Sequence, residues 1–270
     1  MTALMHHFAF EFKTGLRNAT LLLMNYLFPL GFYAMMGLVM VQINPMFAET
    51  MIPAMVIFSG LVSTLLGMPG PLVEAREAGI FRSYKINGVP AVAILMMPAL
   101  TTVFHVLIVS VIIGLTGAPL FGGLAPTRWL PFALVTLVVV VSSAGLGALI
   151  SVIARDSRSV VLVSQLIFLP SMLIGGLMMP LEILPNSVRP FAFLLPASHA
   201  MQAFLGFAYQ QTTLLSPWVA LGVLAANGVI GFGLAIYLFN WDSKNEAQRG
   251  HPALGILALV PNILVPLLSL

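Results

Sequence analysis

Eight carboxylates, five histidines and no cysteine are the residues of this 270-residue chain with acid, base or metal chemistry to offer. All eight carboxylates, Glu11, Glu49, Glu74, Glu77, Asp156, Glu182, Asp242 and Glu246, stand in or beside the breaks between long apolar runs. A zinc hydrolase of the His-Glu-x-x-His type sets two histidines one helical turn apart with a general base between them. His6-His7 has no such partner. A serine hydrolase needs a nucleophile matched to a histidine; His105 and His199 are present, but no Gly-x-Ser-Gly element accompanies them. The absence of cysteine removes disulfides, thiolate nucleophiles and thiolate metal sites. No catalytic residue and no metal site is therefore expected. An ion-coupled carrier, the main alternative, usually keeps a carboxylate at mid-membrane. No acidic residue here falls at the centre of an apolar run.

The elements that must carry these residues follow from composition. Hydrophobic residues make up 60% of the chain and charged residues 7%, against roughly 25% charged in a soluble domain. A bilayer can absorb that much apolar surface; a packed core of this length cannot. The net charge of +3 is small and its basic residues are scattered, which argues against nucleic acid. A charge at the centre of a span costs about 2.5–3.5 kcal/mol, so uncharged stretches of about 20 residues mark the crossings. They predict an all-α polytopic membrane protein with spans at about 20–41, 52–70, 90–116, 129–153, 160–180 and 216–240. A Gly/Pro-rich loop, Gly117–Thr127, is expected after the third. Glu11, Lys13 and Arg17 precede the first span without a cleavage signal, which reads as an uncleaved signal anchor.

Six spans place Lys13, Arg17, Arg76, Arg82, Lys85, Arg155, Arg158, Lys244 and Arg249 on one side, and only Arg128 and Arg189 on the other. Positive charge favours the cytoplasm, so the N-terminus is expected inside, in a cell membrane of the bacterial inner-membrane type. The segment Pro190–Tyr209 carries Pro196, Ser198, His199 and Gln202, which suits short re-entrant helices better than a lipid-facing span. Residues 1–241 read as the transmembrane domain, and 242–270 as a cytoplasmic linker and apolar tail. The tail, Pro252–Leu270, leaves two readings open: a seventh span, or a segment along the membrane surface.

Three segments suggest mechanism. Met5, Phe8, Ala9, Phe12, Leu16 and Ala19 recur at helical spacing, with His7, Glu11, Thr14 and Asn18 on another face; this predicts an interfacial amphipathic helix. Between spans two and three, Glu74–Lys85 predicts a short cytoplasmic helix closed by Asn87, Gly88 and Pro90. Its Ile80, Phe81 and Tyr84 would fill a groove on a partner, and Glu74, Arg76 and Glu77 would pair with charges there; the plainer reading is a juxtamembrane loop facing lipid headgroups. Beyond span five, Gly175-Gly176, Pro180, Glu182, Pro185, Arg189, Pro196 and His199 predict a broken outer segment. Inside the membrane, Asn25, His105, Gln165 and Asn227 are candidates for a translocation path or for interhelical hydrogen bonds. Ser143, Gly147 and Ser151, beside Ala144 and Ala148, form a small-residue face on span four, for intramolecular packing or a dimer seam. The 16 methionines are dispersed, which fits a compliant apolar wall or lipid-facing bulk better than metal handling.

These segments, in this order, resemble the type-2 ABC exporter permease family. Its Arg-Glu-x-Gly element after span two is matched by Arg76-Glu77-Ala78-Gly79. Its Gly-rich stretch leading to Pro-x-x-x-x-Pro is matched by Gly175–Pro185, and its Leu-Pro before a polar pair by Leu195–His199. Ile80-Phe81 stands where the family commonly has a Thr-Leu pair, and the apolar tail after His251 goes beyond the family pattern. The resemblance implies a half-transporter that pairs with a second copy of itself or a homologous permease. Each half would dock on an ABC ATPase through the coupling helix, at Glu74, Arg76, Glu77, Gly79, Phe81 and Tyr84. It implies export of drugs, lipids, glycans or peptides, with ATP and Mg bound by the ATPase. The residues agree on one point: no Gly-x-x-x-x-Gly-Lys-Ser/Thr loop exists to cradle a nucleotide.

Overall fold

The computed structural model describes residues 18–241 and 250–269, with side chains of the last helix described as far as Leu264. Most of the predicted amphipathic helix, with Lys13 and Arg17, lies outside these residues, as do Lys244 and Arg249. Six helices are long and apolar enough to cross a membrane: α1 (Ala19–Ile43), α2 (Phe47–Glu77), α4 (Ala91–Phe121), α5 (Trp129–Ile153), α6 (Ser157–Ile174) and α9 (Pro217–Tyr237). Shorter helices are α3 (Ile80–Ile86), α7 (Arg189–Ala192), α8 (Pro196–Phe207) and α10 (Val260–Ser269). One end of the bundle carries α3, Arg155 and Arg158 and is called here the basic end; Glu49, Arg128, Glu182 and Arg189 mark the far end.

Several boundaries depart from the hydropathy reading, each for a local reason. α2 starts earlier and runs on to Glu77, because Pro69 falls at the first turn of its last segment, where a missing N–H does no harm. α4 continues through Gly117, into the first part of the loop expected at 117–127, as far as Phe121, and Gly122 closes it at φ +70°. Gly117 is needed inside α4 because a Cβ there would meet Ile52 at 2.6 Å. α6 is shorter than 160–180. Asp156 caps its start, Oδ1 accepting from the Ser159 N–H at 2.7 Å, and the chain breaks at Gly175 and Gly176. The Ser159 backbone and hydroxyl hydrogen bonds hold the Asp156 carboxyl below the usual range.

α2 is the central helix. In its most apolar stretch 94% of the residues are buried, against 22% in α1 and in α6. Phe58 of α2 stacks on Phe32 of α1 at 4.2 Å and lies 5.9 Å from Phe168 of α6, so an aromatic row ties the three together. Ser164 of α6 donates to the Leu65 carbonyl at 2.6 Å, and Ser63 to the Met24 carbonyl at 3.3 Å. The small-residue face of α5 packs inside the chain. A Cβ on Gly147 would collide with the Thr64 carbonyl oxygen of α2, and one on Gly145 would lie 2.7 Å from the Gly228 oxygen of α9. Both seams depend on backbones touching, as small residues permit.

The stretch from Gly175 to Ser216 stays at the far end. α8 has 12 residues, about 18 Å of rise, too short for a hydrocarbon layer of about 30 Å. Its side chains from Pro196 to Leu205 are nonetheless all buried, which makes it the re-entrant element. The tail turns back along the bundle. Pro252–Leu259 forms a 3-10 stretch in which a Cβ on Gly255 would lie 3.1 Å from Ile153, and Asn262 reaches Asn227 in the middle of α9. The Asn262–Asn227 bond packs this part of the tail against α9.

Candidate coupling element and intramembrane polar sites

The predicted helix Glu74–Lys85 is two pieces. Glu74–Glu77 is the end of α2; Gly79, at φ +76°, breaks the chain, and α3 follows. Only glycine takes that conformation without strain. Asn87, Gly88 and Pro90 then separate α3 from α4, as the sequence suggests.

Arg76 does not face a partner. It is 6% exposed, and its guanidinium donates to the carbonyls of Ser151 and Val152 at 3.2 Å, of Arg155 at 3.3 Å, and of Ala154. The last turn of a helix leaves four carbonyls unpaired and carries partial negative charge. Arg76 satisfies that terminus for α5, so its place in the coupling surface is corrected: it positions the surface from inside. Phe81 is corrected likewise. It is 4% exposed and stacks on Phe239 at 5.6 Å. Lys85 Nζ lies 6.0 Å from the ring of Trp241. Phe239 and Trp241 thus clasp α3 to the end of α9, a role that the sequence alone does not reveal. Glu74, Glu77, Ile80 and Tyr84 are exposed, and Glu77 Oε2 accepts a long bond from Ser157 at 3.4 Å.

The four intramembrane polar candidates separate. Asn25 and His105 line one cleft of about 380 Å³ between α1, α2, α3 and α4. His105 Nδ1 is hydrogen-bonded to the Tyr26 hydroxyl at 2.6 Å. Thr101 and Thr102 line the same cleft and carry no signal in the sequence beyond their place one turn from His105. Gln165 is half-buried on α6, away from that cleft, its Oε1 without a partner. Asn227 is fully buried and its Nδ2 donates to Asn262 Oδ1 at 3.0 Å. It fixes the tail to α9 and does not line the cleft that holds Asn25 and His105.

The far-end segment closes on itself. Arg189 folds back onto the Leu184 carbonyl at 3.0 Å and the Glu182 carbonyl at 2.6 Å. Ser198 donates to the Ala192 carbonyl at 2.6 Å, and His199 Nε2 pairs with the Phe193 carbonyl at 2.8 Å. Pro196 opens α8 at its first turn, so the first turn of α8 caps the end of α7. Burial pushes His199 down to about 4, against the opposing pull of the Phe193 carbonyl. Pro180 and Glu182 line a second cleft of about 450 Å³ with Glu49; Pro185 starts the turn into α7.

A bundle of six helices long and apolar enough to cross a membrane, with a break at Gly79 at its basic end and a short buried helix at the other, defines an all-α polytopic membrane protein. The chain belongs to the ABC-2 type transporter family, whose sequence model matches residues 2–209, from before α1 to the end of α8. Searches of curated proteins and of solved structures returned no match. It is accordingly an integral membrane transporter subunit.

Proposed function

We propose that this chain is the permease half of an ATP-driven exporter, worked by a separate ABC ATPase and paired with a second copy of itself or a homologous permease. The observation that carries the reading is the hinge at Gly79. It joins the end of α2, the central helix, where Glu77 is exposed, to an α3 whose Ile80 and Tyr84 are exposed at the basic end. A force on α3 reaches α2 directly, and reaches α5 and α9 through Arg76 and Phe81. With the basic end in the cytoplasm, ATP-driven closure of two ATPases would swing α3 and rock the two bundles against each other. ATP and Mg belong to the ATPase chain, since this one has no phosphate loop. The cargo class is a hydrophobic or amphipathic molecule: a drug, lipid or glycan. Exposed apolar faces on α1 and α6 suit contact with lipid and with the second permease. Among the described residues the carboxylates of α2, Glu49, Glu74 and Glu77, stand in its first and last turns, which argues against an ion-coupled carrier.

The test uses the absence of native cysteine. In inside-out vesicles, Ser83→Cys reacts with a membrane-impermeant maleimide and Thr212→Cys does not; the reverse pattern overturns the orientation. With a cognate ATPase co-expressed, Glu77→Ala with Tyr84→Ala lowers transport at least tenfold while the permease stays in the membrane. Undiminished transport in that variant sinks the assignment of the coupling surface.

A further inference from the structure

The cleft between α1, α2, α3 and α4 has a composition suited to one kind of molecule. Among the described residues its lining contains no Asp, Glu, Lys or Arg, so an ionic head would find no counter-charge among them. One end is polar, with Asn25, Thr101, Thr102 and His105; the rest, from Met68 and Leu72 to Ile94 and Tyr84, is apolar. Along α4 the polar end at His105 stands 12 residues from Ala93 near the mouth, about 18 Å. A few placed polar groups in an otherwise apolar cavity of this volume are the usual make-up of a small-molecule site.

Two features of the backbone point the same way. Asn25 sits in a π turn, Leu23–Leu27, whose extra residue turns its side chain inward. It is 3% exposed and its Oδ1 has no hydrogen-bond partner. A buried amide left half-satisfied costs stability, roughly 1–3 kcal/mol per orphaned group, so its retention calls for a use. Pro98 lies within α4, where it cannot donate to the Ile94 carbonyl. The Thr101 hydroxyl donates to the Met97 and Pro98 carbonyls of the next turn and not to that of Ile94.

We propose that this cleft binds an uncharged amphipathic molecule of the long-chain alcohol class. Its hydroxyl, which both donates and accepts, faces the Asn25, Thr102 and His105 end, and its chain lies against Leu72, Ile94 and Tyr84. Phe81 and Tyr84 form one wall, so an occupant braces α3 against α4. Binding stands on the cleft alone; the consequence for transport rests on the reading that α3 meets an ATPase.

The experiment is photolabelling of the full chain in lipid nanodiscs with a diazirine-bearing decanol, read by peptide mass spectrometry. Adducts are expected on residues 68–75 and 93–102, competed by decanol and not by decane. Asn25→Val lowers the yield about fivefold, the worth of one hydrogen bond. Ala93→Phe, which fills the mouth without touching Asn25, lowers it at least as much and decides the matter should Asn25→Val fold poorly. Labelling spread along the lipid-facing sides of α1 and α6, or unchanged by Ala93→Phe, overturns the proposal. No ATPase is present, so failure here leaves the proposed function standing, and loss of that function leaves the cleft standing.

Discussion

Arg76, near the end of α2, donates to the carbonyl of Ser151 near the end of α5 across 3.2 Å. Three further carbonyls of the same terminus share its guanidinium. One side chain thus locks the central helix to a helix 75 residues away in sequence, immediately before the hinge at Gly79. Arg76→Met should leave the buried Ser151 and Ala154 carbonyls without this donor and lower stability by about 1–3 kcal/mol for each group orphaned. Arg76→Lys should rescue little, because one ammonium cannot match a planar fork over four acceptors. Thermal unfolding in detergent reads both; a midpoint unchanged in Arg76→Met contradicts the lock.

The α5 seams make a second prediction. Gly147→Ala puts a methyl against the Thr64 carbonyl and should cost about 1–3 kcal/mol through overpacking. Gly31→Ala, with nothing within 4 Å of its new Cβ, should be neutral or stabilise by up to about 1 kcal/mol. Equal midpoints for the two variants would falsify the seam.

The tail supplies a third. Asn227→Leu and Asn262→Leu should each weaken packing, and the double variant should cost less than their sum. The expected coupling is about 0.6–2 kcal/mol, the range for hydrogen bonds between membrane helices. Strict additivity in a double-mutant cycle counts against the Asn227–Asn262 bond.

His199 gives a pH dependence. In the fold it protonates only near pH 4, whereas an unperturbed histidine does so near 6.5. Between these values the unfolded chain holds a proton that the folded chain does not. Stability therefore falls as pH drops from about 6.5 toward 4 and is fully present above that window. His199→Gln should flatten this part of the profile of melting temperature against pH. An identical slope in wild type and variant removes His199 as the cause.

Hydropathy and charge locate all six spans in the sequence, because insertion into a bilayer is decided segment by segment and each segment carries its own transfer free energy. α5 is an example: Trp129–Ile153 coincides with the stretch read from the sequence. The re-entrant α8 was also legible, through Pro196, Ser198, His199 and Gln202. Helix ends were less so, because Gly117 and Pro69 break helices in general and do not here. The direction in which a residue faces was not legible at all. Arg76 and Phe81 look like contact residues in an exposed loop, yet one caps α5 and the other packs on Phe239. Asn25 and Asn227 look alike in sequence; a cleft claims the first and Asn262 the second. Such choices depend on which partner lies within about 3 Å. That distance is fixed only when helices far apart in sequence come together.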